Sequence, residues 1–225
     1  MSTTGTEAFQ ILLSLAVVLQ TALEHRAFTC GPRQLSGKVA IILPVKGLDP
    51  ALDSTLYSLE SQDYEDKEIF VVVDSPDDPA ISVVKRHKVK LLFNSWPCSS
   101  CSGKVAAIIT ALKEIRADYY VFVDSDTIYP QGWLRCTLSL LEPGKTVVTT
   151  FSWPSPIKFS LMNAIRSGFW TLGYESMFSA NHRFLWGGSM AFSREFFDES
   201  VVKALESAWC DDCTLGYIAK SKGYR

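Results

Sequence analysis

Tyr119-Tyr120-Val121-Phe122-Val123-Asp124-Ser125-Asp126 is the stretch that decides the fold. An unbroken run of aromatic and β-branched residues reads as a strand buried on both faces, as inside a parallel sheet. The run ends in two carboxylates spaced i and i+2. Side chains alternate along an extended backbone, so Asp124 and Asp126 are expected to point the same way. Like charges about 4 Å apart repel by about 1 kcal/mol in water and about 4 kcal/mol at an effective dielectric of 20. A divalent cation with oxygen ligands, Mg²⁺ or Mn²⁺, relieves that repulsion. Open α/β sheets also bind ligands at the carboxyl ends of their strands. The competing reading is a solvated turn with an Asx cap.

The same alternation of apolar runs and helical spacing extends to both sides. Lys38 to Val45 reads as a buried strand ending at Lys46-Gly47, and Pro50 to Gln62 as a helix. Glu68 to Asp74 is a second strand, and a helix capped by Asp77-Asp78-Pro79 runs to about Arg86. Val89 to Phe93 is a third strand, and Gly103-Lys104 opens a helix to about Ile115. Strands and helices in this order predict βαβ units, a mainly parallel sheet and right-handed crossovers. The second half is less regular: a helix over Trp133–Leu141, a strand over Thr146–Phe151 and a long amphipathic segment over Ile157–Phe178. A strand at Phe184–Ser193 and a helix over Cys213–Lys220 follow. The predicted class is α/β: a nucleotide-binding sheet (about 38–126) followed by a mixed half (about 127–225).

With 225 residues, 47% hydrophobic and 20% charged, the chain fits one large domain with an appendage. A net charge of −2 and the lack of a Lys/Arg-rich run argue against a nucleic-acid partner. The appendage is residues 1–37. Phe9–Leu23 is apolar and uncharged, though shorter than the roughly 20 residues that span a bilayer. Basic residues follow it, at Arg26, Arg33 and Lys38. This pattern predicts a membrane anchor with the domain on the cytosolic side; an amphipathic or buried helix and a cleaved signal are the alternatives. The cysteines at 30, 98, 101, 136, 210 and 213 include two C-x-x-C pairs. In a cytosolic protein they are expected as reduced thiols, with structural zinc or a redox pair as alternatives.

Several short elements together resemble the inverting nucleotide-sugar glycosyltransferases of the GT-A fold, in the ceramide glucosyltransferase-like branch of the family-2 superfamily. Leu43-Pro44-Val45-Lys46-Gly47-Leu48-Asp49-Pro50 is similar to that branch's P-x-K-G-x-D-P signature, and Asp77-Asp78-Pro79-Ala80 to its D-D-P-A element. Gly103-Lys104 stands where the superfamily has a lysine before a helix, and Asp124-Ser125-Asp126 where it has its D-x-D. Trp186-Gly187-Gly188-Ser189-Met190 resembles the G-x-S/G-M element, and Asp211-Asp212 the acidic pair of the acceptor-side motif. The likeness covers roughly residues 38–225. The family pattern continues to a Q/R-x-x-R-W element, and this chain ends at Gly223-Tyr224-Arg225 before it, which reads as a C-terminally truncated member.

The resemblance implies transfer of a hexose from a UDP-sugar to a lipid hydroxyl, as in glycolipid biosynthesis. It places Asp124 and Asp126 on the metal, with Asp124 the safer of the two. Pro44, Lys46, Asp74, Asp78 and Lys104 fall on the donor side, Asp77 competing with Asp74 and Asp78 for the base or ribose. Trp186, Gly187 and Gly188 lie on the acceptor side. Inversion by direct displacement needs one carboxylate opposite the leaving group; Asp212 is the candidate base, with Asp211 the alternative. For Asp78, Asp211 and Asp212 helix capping is the plainer role, for Lys104 an exposed first-turn lysine, and for Gly187 and Gly188 a tight turn. His182 carries no catalytic assignment. The aromatic stripe Phe159, Phe169, Trp170, Phe178 either packs in the core or faces lipid. Two rivals remain: a non-catalytic nucleotide-sugar-binding scaffold of the same fold, and a nucleotidyltransferase, which would want a Gly/Arg-rich first loop.

Overall fold

Seven consecutive residues of the first strand, β1 (Val39–Val45), are buried with little exception, and this strand organises the sheet. The computed structural model describes residues 30–31, 33–152, 160–177 and 183–225, together with Leu12, Leu15 and Leu19. β1 pairs in parallel with β2 (Lys67–Val73) on one side and with β4 (Tyr119–Val123) on the other. β3 (Lys90–Phe93) extends the sheet beyond β2, also in parallel. β6 (Ser189–Ser193) joins β4 antiparallel, and the two-residue β5 (Val148–Thr149) closes the edge, giving the order β3-β2-β1-β4-β6-β5. The chain therefore reverses its direction of growth between β1 and β4, and such a switch point leaves a crevice at the strand ends.

Helices cover both faces, which is why β1 and β4 are apolar at every position rather than at alternate ones. On one face Ile41, Leu43 and Val121 pack on α1 (Leu52–Glu60), α2 (Ile81–Val84) and α4 (Trp133–Ser139). On the other Ile42, Phe122, Met190 and Phe192 pack on α3 (Gly103–Glu114), α6 (Glu199–Leu205) and α7 (Asp211–Ser221). Fully burying one such side chain contributes about 1.5–3 kcal/mol. The remaining helix, α5 (Leu161–Ser176), keeps Leu161, Met162, Ile165 and Phe169 exposed along one side.

The α/β class and the mainly parallel sheet agree with the sequence. The expected anchor helix does not enter the description: of Phe9–Leu23 only Leu12, Leu15 and Leu19 are described, helical and exposed. Among the described residues no helix is long and apolar enough to cross a membrane. Phe159, Phe178 and His182 lie outside the described residues. The predicted strand over Phe184–Ser193 begins only at Ser189, and α6 had no counterpart in the reading of the sequence.

The cysteines depart from the expected free thiols. They pair as Cys30–Cys136, Cys98–Cys101 and Cys210–Cys213. The two C-x-x-C pairs do not gather into a four-sulfur zinc site; among the described residues the potential metal group with sulfur is Cys210, Asp212 and Cys213. Cys30–Cys136 links residues 106 apart and ties the linker to α4, where Gly31 N–H also donates to Ser139 Oγ at 2.8 Å. Closing a loop of that length removes on the order of 4–5 kcal/mol of unfolded-state entropy. Cys30→Ser is therefore expected to lower the unfolding free energy by about 2–5 kcal/mol in denaturant titration; an unchanged midpoint would show that the bridge does not form.

Candidate active site

The site is built where β1, β2 and β4 end, and α1 braces the loop that follows β4. Thr55 Oγ1 donates to Ser125 O at 2.9 Å, Tyr129 N–H to Ser58 Oγ at 3.1 Å, and Gln62 Nε2 to Pro130 O at 3.0 Å. These buried polar side chains, from α1 and the turn that follows it, hold the loop carrying Asp124 and Asp126. The strand stops at Val123 and Ser125-Asp126 form a turn, so the extended-backbone argument for the two aspartates fails beyond Asp124. Asp124 is half-buried and faces the crevice, while Asp126 is exposed and accepts from Thr127 Oγ1 at 3.5 Å.

Lys104 is the hub. It lies in the first turn of α3, whose N-cap Ser102 accepts from Val105 N–H. A cation there opposes the helix dipole, so it needs negative partners, and it has two. Lys104 Nζ lies 2.8 Å from Asp124 Oδ1 and 2.9 Å from Asp211 Oδ2, and donates to Gly187 O at 3.4 Å. Burial alone would lower the pKa of the ammonium, but the Asp211 and Asp124 carboxylates outweigh it and the net shift is upward. For Asp211 burial is the leading effect and pushes its carboxyl above the usual range; Lys104 opposes this, and the nearby Asp212 and Asp124 charges reinforce it. One ammonium cannot satisfy the surrounding acids. Asp211 Oδ2, though within ion-pair distance, is buried without a well-directed hydrogen bond.

Asp212 meets the same centre from the other side. Its Oδ2 accepts from Gly187 N–H at 3.0 Å and its Oδ1 from Cys213 N–H at 2.7 Å. Asp212 is half-buried and Asp211 buried, so the two adjacent acids divide the roles: Asp211 holds Lys104, and Asp212 faces the crevice. Gly187 and Gly188 are required by space. A Cβ on Gly187 would lie 3.0 Å from Asp212 Oδ2 and 3.1 Å from Lys104 Nζ; one on Gly188 would lie 2.9 Å from Trp186 Nε1 and 3.2 Å from Asp124 Oδ2. Trp186 stands in an aromatic group with Phe151, Trp170 and Phe184, its ring centroid 4.7 Å from that of Trp170.

A second group lies across the crevice. Lys46 pairs with Asp74 at 3.2 Å and Asn94 Nδ2 donates to Asp74 Oδ1 at 3.1 Å; both members of the ion pair are largely accessible, so it adds little stability. A Cβ on Gly103 would lie 3.9 Å from Asp74 Oδ2, which places this group at the start of α3. Asp78 is engaged structurally: its carboxylate accepts from Gly47 N–H at 2.9 Å and Ala80 N–H at 2.8 Å and so ties the loop after β1. Asp77 is exposed, with its N–H donating to Ser75 Oγ. Pro44 is half-buried within β1, beside Val72.

Reading the residue types alone misses Tyr129. Burial pushes its hydroxyl well above the usual phenol range, and the O–H donates to Gly188 O at 2.6 Å. Thr149 does the same for Trp186, accepting from its N–H at 2.8 Å. Neither lies in a recognisable motif, and only their position beside the glycine turn reveals them.

A mainly parallel sheet with a lysine and clustered carboxylates at its switch point defines the nucleotide-sugar glycosyltransferases of the GT-A fold. The chain belongs to glycosyl transferase family 21, whose model matches residues 7–225. It is 43% identical over 54 residues to a ceramide glucosyltransferase of Komagataella phaffii, covering 24% of this chain and 10% of that protein. It is 27% identical over 116 residues to an uncharacterised glycosyltransferase of Haemophilus influenzae, covering 49% of this chain and 45% of that one. The chain thus spans less than half the length of these curated relatives. Among solved structures, it resembles the mannosyltransferase PcManGT of Pyrobaculum calidifontis, in complex with GDP-Man and Mn²⁺ (TM-score 0.61, 21% identity, 94% of this chain and 64% of that one). It also resembles S. aureus TarS 1–349 (TM-score 0.57, 17% identity, 83% of this chain and 55% of that one). At these identities the structural likenesses establish the fold.

Two outcomes test the geometry. Gly187→Ala displaces the Asp212 and Lys104 side chains by a few tenths of an ångström; about 1 Å of misplacement costs on the order of 10²-fold in rate, so a loss on the order of tenfold in transfer with unchanged thermal stability is expected. Asp211 supplies the pH test. Its raised carboxyl contributes stability that is fully present below the ordinary carboxylate range and is lost as pH rises through its folded-state value. Lys104 stays charged throughout, so the midpoint of Asp211→Asn relative to the parent should be higher at pH 7 than at pH 4. An equal or reversed difference in calorimetry would refute the assignment.

Proposed function

We propose that this chain is an inverting hexosyltransferase that moves a sugar from a UDP-sugar to a lipid hydroxyl, with Asp212 as general base. The convergence of Lys104, Asp124, Asp211 and Asp212 on the Gly187-Gly188 turn carries the reading. Three carboxylates face one ammonium there, so the cluster is net anionic. A diphosphate donor is anionic too and would be repelled from it. The hard oxygen donors of Asp124, half-buried at the crevice, and Asp126, exposed on the adjoining turn, fit a Mg²⁺ or Mn²⁺ ion. When bound, such an ion neutralises charge on the departing diphosphate.

The protein's own groups account for the rest. Lys104, at the start of α3, directs positive charge toward the diphosphate, aided by the N–H groups of the first helical turn. Lys46 and Asp74 form the outer end of the donor site, where Asp74 and Asn94 hydrogen-bond to base or ribose. Asp212 keeps free lone pairs after accepting from Gly187 and Cys213 N–H, because a carboxylate offers about four acceptor sites. One of these takes the proton from the acceptor hydroxyl as its oxygen attacks the anomeric carbon and the diphosphate leaves on the opposite face. The fixed Gly187 N–H holds the carboxylate in the orientation this requires.

Two observations support a lipid acceptor. The local identity to a ceramide glucosyltransferase is the first. The second is the exposed row Leu161, Ile165 and Phe169 on α5, whose Trp170 meets Trp186 beside the glycine turn. A helix with such a face suits an interface, and we place the domain at a membrane, on its cytosolic side, on the basic residues that follow Phe9–Leu23.

A panel of radiolabelled UDP-sugars with extracted lipids and Mn²⁺ or Mg²⁺ is expected to give labelled glycolipid for one donor, and chelation to abolish it and weaken UDP binding. Asp212→Asn should lower turnover by at least 10²-fold, the lower range for a lost general base, with UDP affinity unchanged. Tight UDP binding without transfer on any donor would favour the scaffold reading, and unaltered turnover in Asp212→Asn would remove the base from the mechanism.

A further inference from the structure

The Trp186 ring is wedged among three others, its centroid 4.6 Å from that of Phe151, 4.7 Å from that of Trp170 and 6.3 Å from that of Phe184. Its backbone N–H donates to Thr149 Oγ1 at 2.8 Å, so main chain and ring are both fixed. The polar tip of the indole is not: among the described residues, Nε1–H donates to no acceptor. A packed tryptophan normally finds a partner for that group. Trp133 shows the ordinary arrangement, donating from Nε1 to Thr150 Oγ1 at 3.0 Å and to Ser189 Oγ, just after the turn, at 3.2 Å.

The unpartnered N–H faces the glycine turn. A Cβ on Gly188 would lie 2.9 Å from Trp186 Nε1 and 3.2 Å from Asp124 Oδ2, so a donor and a carboxylate border the volume that Gly188 leaves open. One residue earlier the pattern repeats, with Gly187 between Lys104 Nζ at 3.1 Å and Asp212 Oδ2 at 3.0 Å. An ionised phosphate oxygen only accepts, and it would meet the Asp124 carboxylate as a like charge. A hydroxyl accepts and donates through the same oxygen, so it satisfies both members of such a pair.

We propose that the transferred hexose lies over the Gly187-Gly188 turn and that Trp186 is a specificity-determining contact to it. The indole N–H donates to one ring hydroxyl, which donates in turn to Asp124 Oδ2. The proposal deepens the nucleotide-sugar reading and rests on it, and it moves Trp186 from the acceptor side to the sugar itself. The reaction geometry agrees. Asp124 stands on the diphosphate side, Asp212 faces the anomeric carbon from the opposite side, and the glycine turn touches both. Phe151 and Trp170 hold the indole in place, so it cannot follow a displaced hydroxyl. An epimer or deoxy sugar lacking a hydroxyl there leaves the N–H unpaired, which is how a site built on a hydrogen bond rejects a close analogue.

Titration calorimetry on the full chain, with Mn²⁺ and no acceptor, tests this with UDP, UDP-glucose, UDP-galactose and each monodeoxy form of the better-bound donor. In the parent, at least one deoxy donor is expected to bind about tenfold more weakly than its hydroxylated form. Trp186→Phe keeps an aromatic ring in the group and removes the N–H. It should leave UDP affinity unchanged, weaken the hexose donor about tenfold, and remove most of the penalty of that same deoxy donor. Gly188→Ala places a Cβ in the proposed hydroxyl volume and should weaken the hexose donor at least as much, again with UDP affinity kept. This second variant carries the test if Trp186→Phe lowers the thermal midpoint.

The proposal is overturned if Trp186→Phe weakens UDP and UDP-hexose alike or leaves donor affinity unchanged. It is also overturned if the substitution raises only the KM for the acceptor lipid, which returns Trp186 to the acceptor side. A parent chain that binds UDP-hexoses and fails these comparisons leaves the nucleotide-sugar reading standing. One that binds no UDP-hexose overturns both.

Discussion

One ammonium group, Lys104 Nζ, shared between Asp124 and Asp211, joins the two halves of the molecule. Asp124 comes from the end of β4 in the parallel part of the sheet, and Asp211 from the first turn of α7, some ninety residues later in a different layer. The same ammonium reaches Gly187 O, so the glycine turn before the antiparallel strand β6 is drawn into the contact. Without a cation at that point, three acidic groups would face one another across the crevice in a partly desolvated setting, where each close pair repels by several kcal/mol. The sheet positions the groups, and Lys104 permits them to be close.

The glycine turn meets a second constraint. Gly187 and Gly188 pass so near Asp212, Lys104, Asp124 and Trp186 that no Cβ fits without displacing one of them. Tyr129 and Thr149 then fix the turn by bonding the Gly188 carbonyl and the Trp186 amide. Both sit on elements braced elsewhere: the Tyr129 loop by α1 and Thr149 by the edge pairing of β5 with β6. The antiparallel edge of the sheet thus sets the Trp186 turn against the acids that end the parallel part.

The sheet was legible because its signal is local. Val39–Val45 and Tyr119–Val123 are apolar at every position, and only a strand covered on both faces asks for that. The site was legible in part. Lys104, Asp124, Asp211, Asp212, Gly187 and Gly188 were identified through short elements in a known order, and the structure brings them together. The side-by-side placement of Asp124 and Asp126 was not, because the argument assumed a strand that continues and the chain turns at Ser125. Asp78 accepts from the Gly47 and Ala80 N–H groups rather than capping α2, whose N-cap is Ala80. Cys30 and Cys136, 106 residues apart, carry no spacing signal at all, and α6 is too short for its periodicity to stand out.

The energetics of the acid pair show why such a site must be held by its surroundings. Burial raises the Asp211 carboxyl, so at neutral pH its ionised form is kept at a cost in stability that Lys104 offsets only in part. An isolated helix start would not choose this: Asp211 gains from the dipole at the N-terminus of α7 but is buried there, 7% exposed. Replacing it with a neutral residue would ease the fold and release Lys104 to swing toward Asp124 alone. The buried charge therefore serves position rather than stability: it holds the ammonium between two layers and leaves Asp212, its neighbour in sequence, on the open side of the crevice.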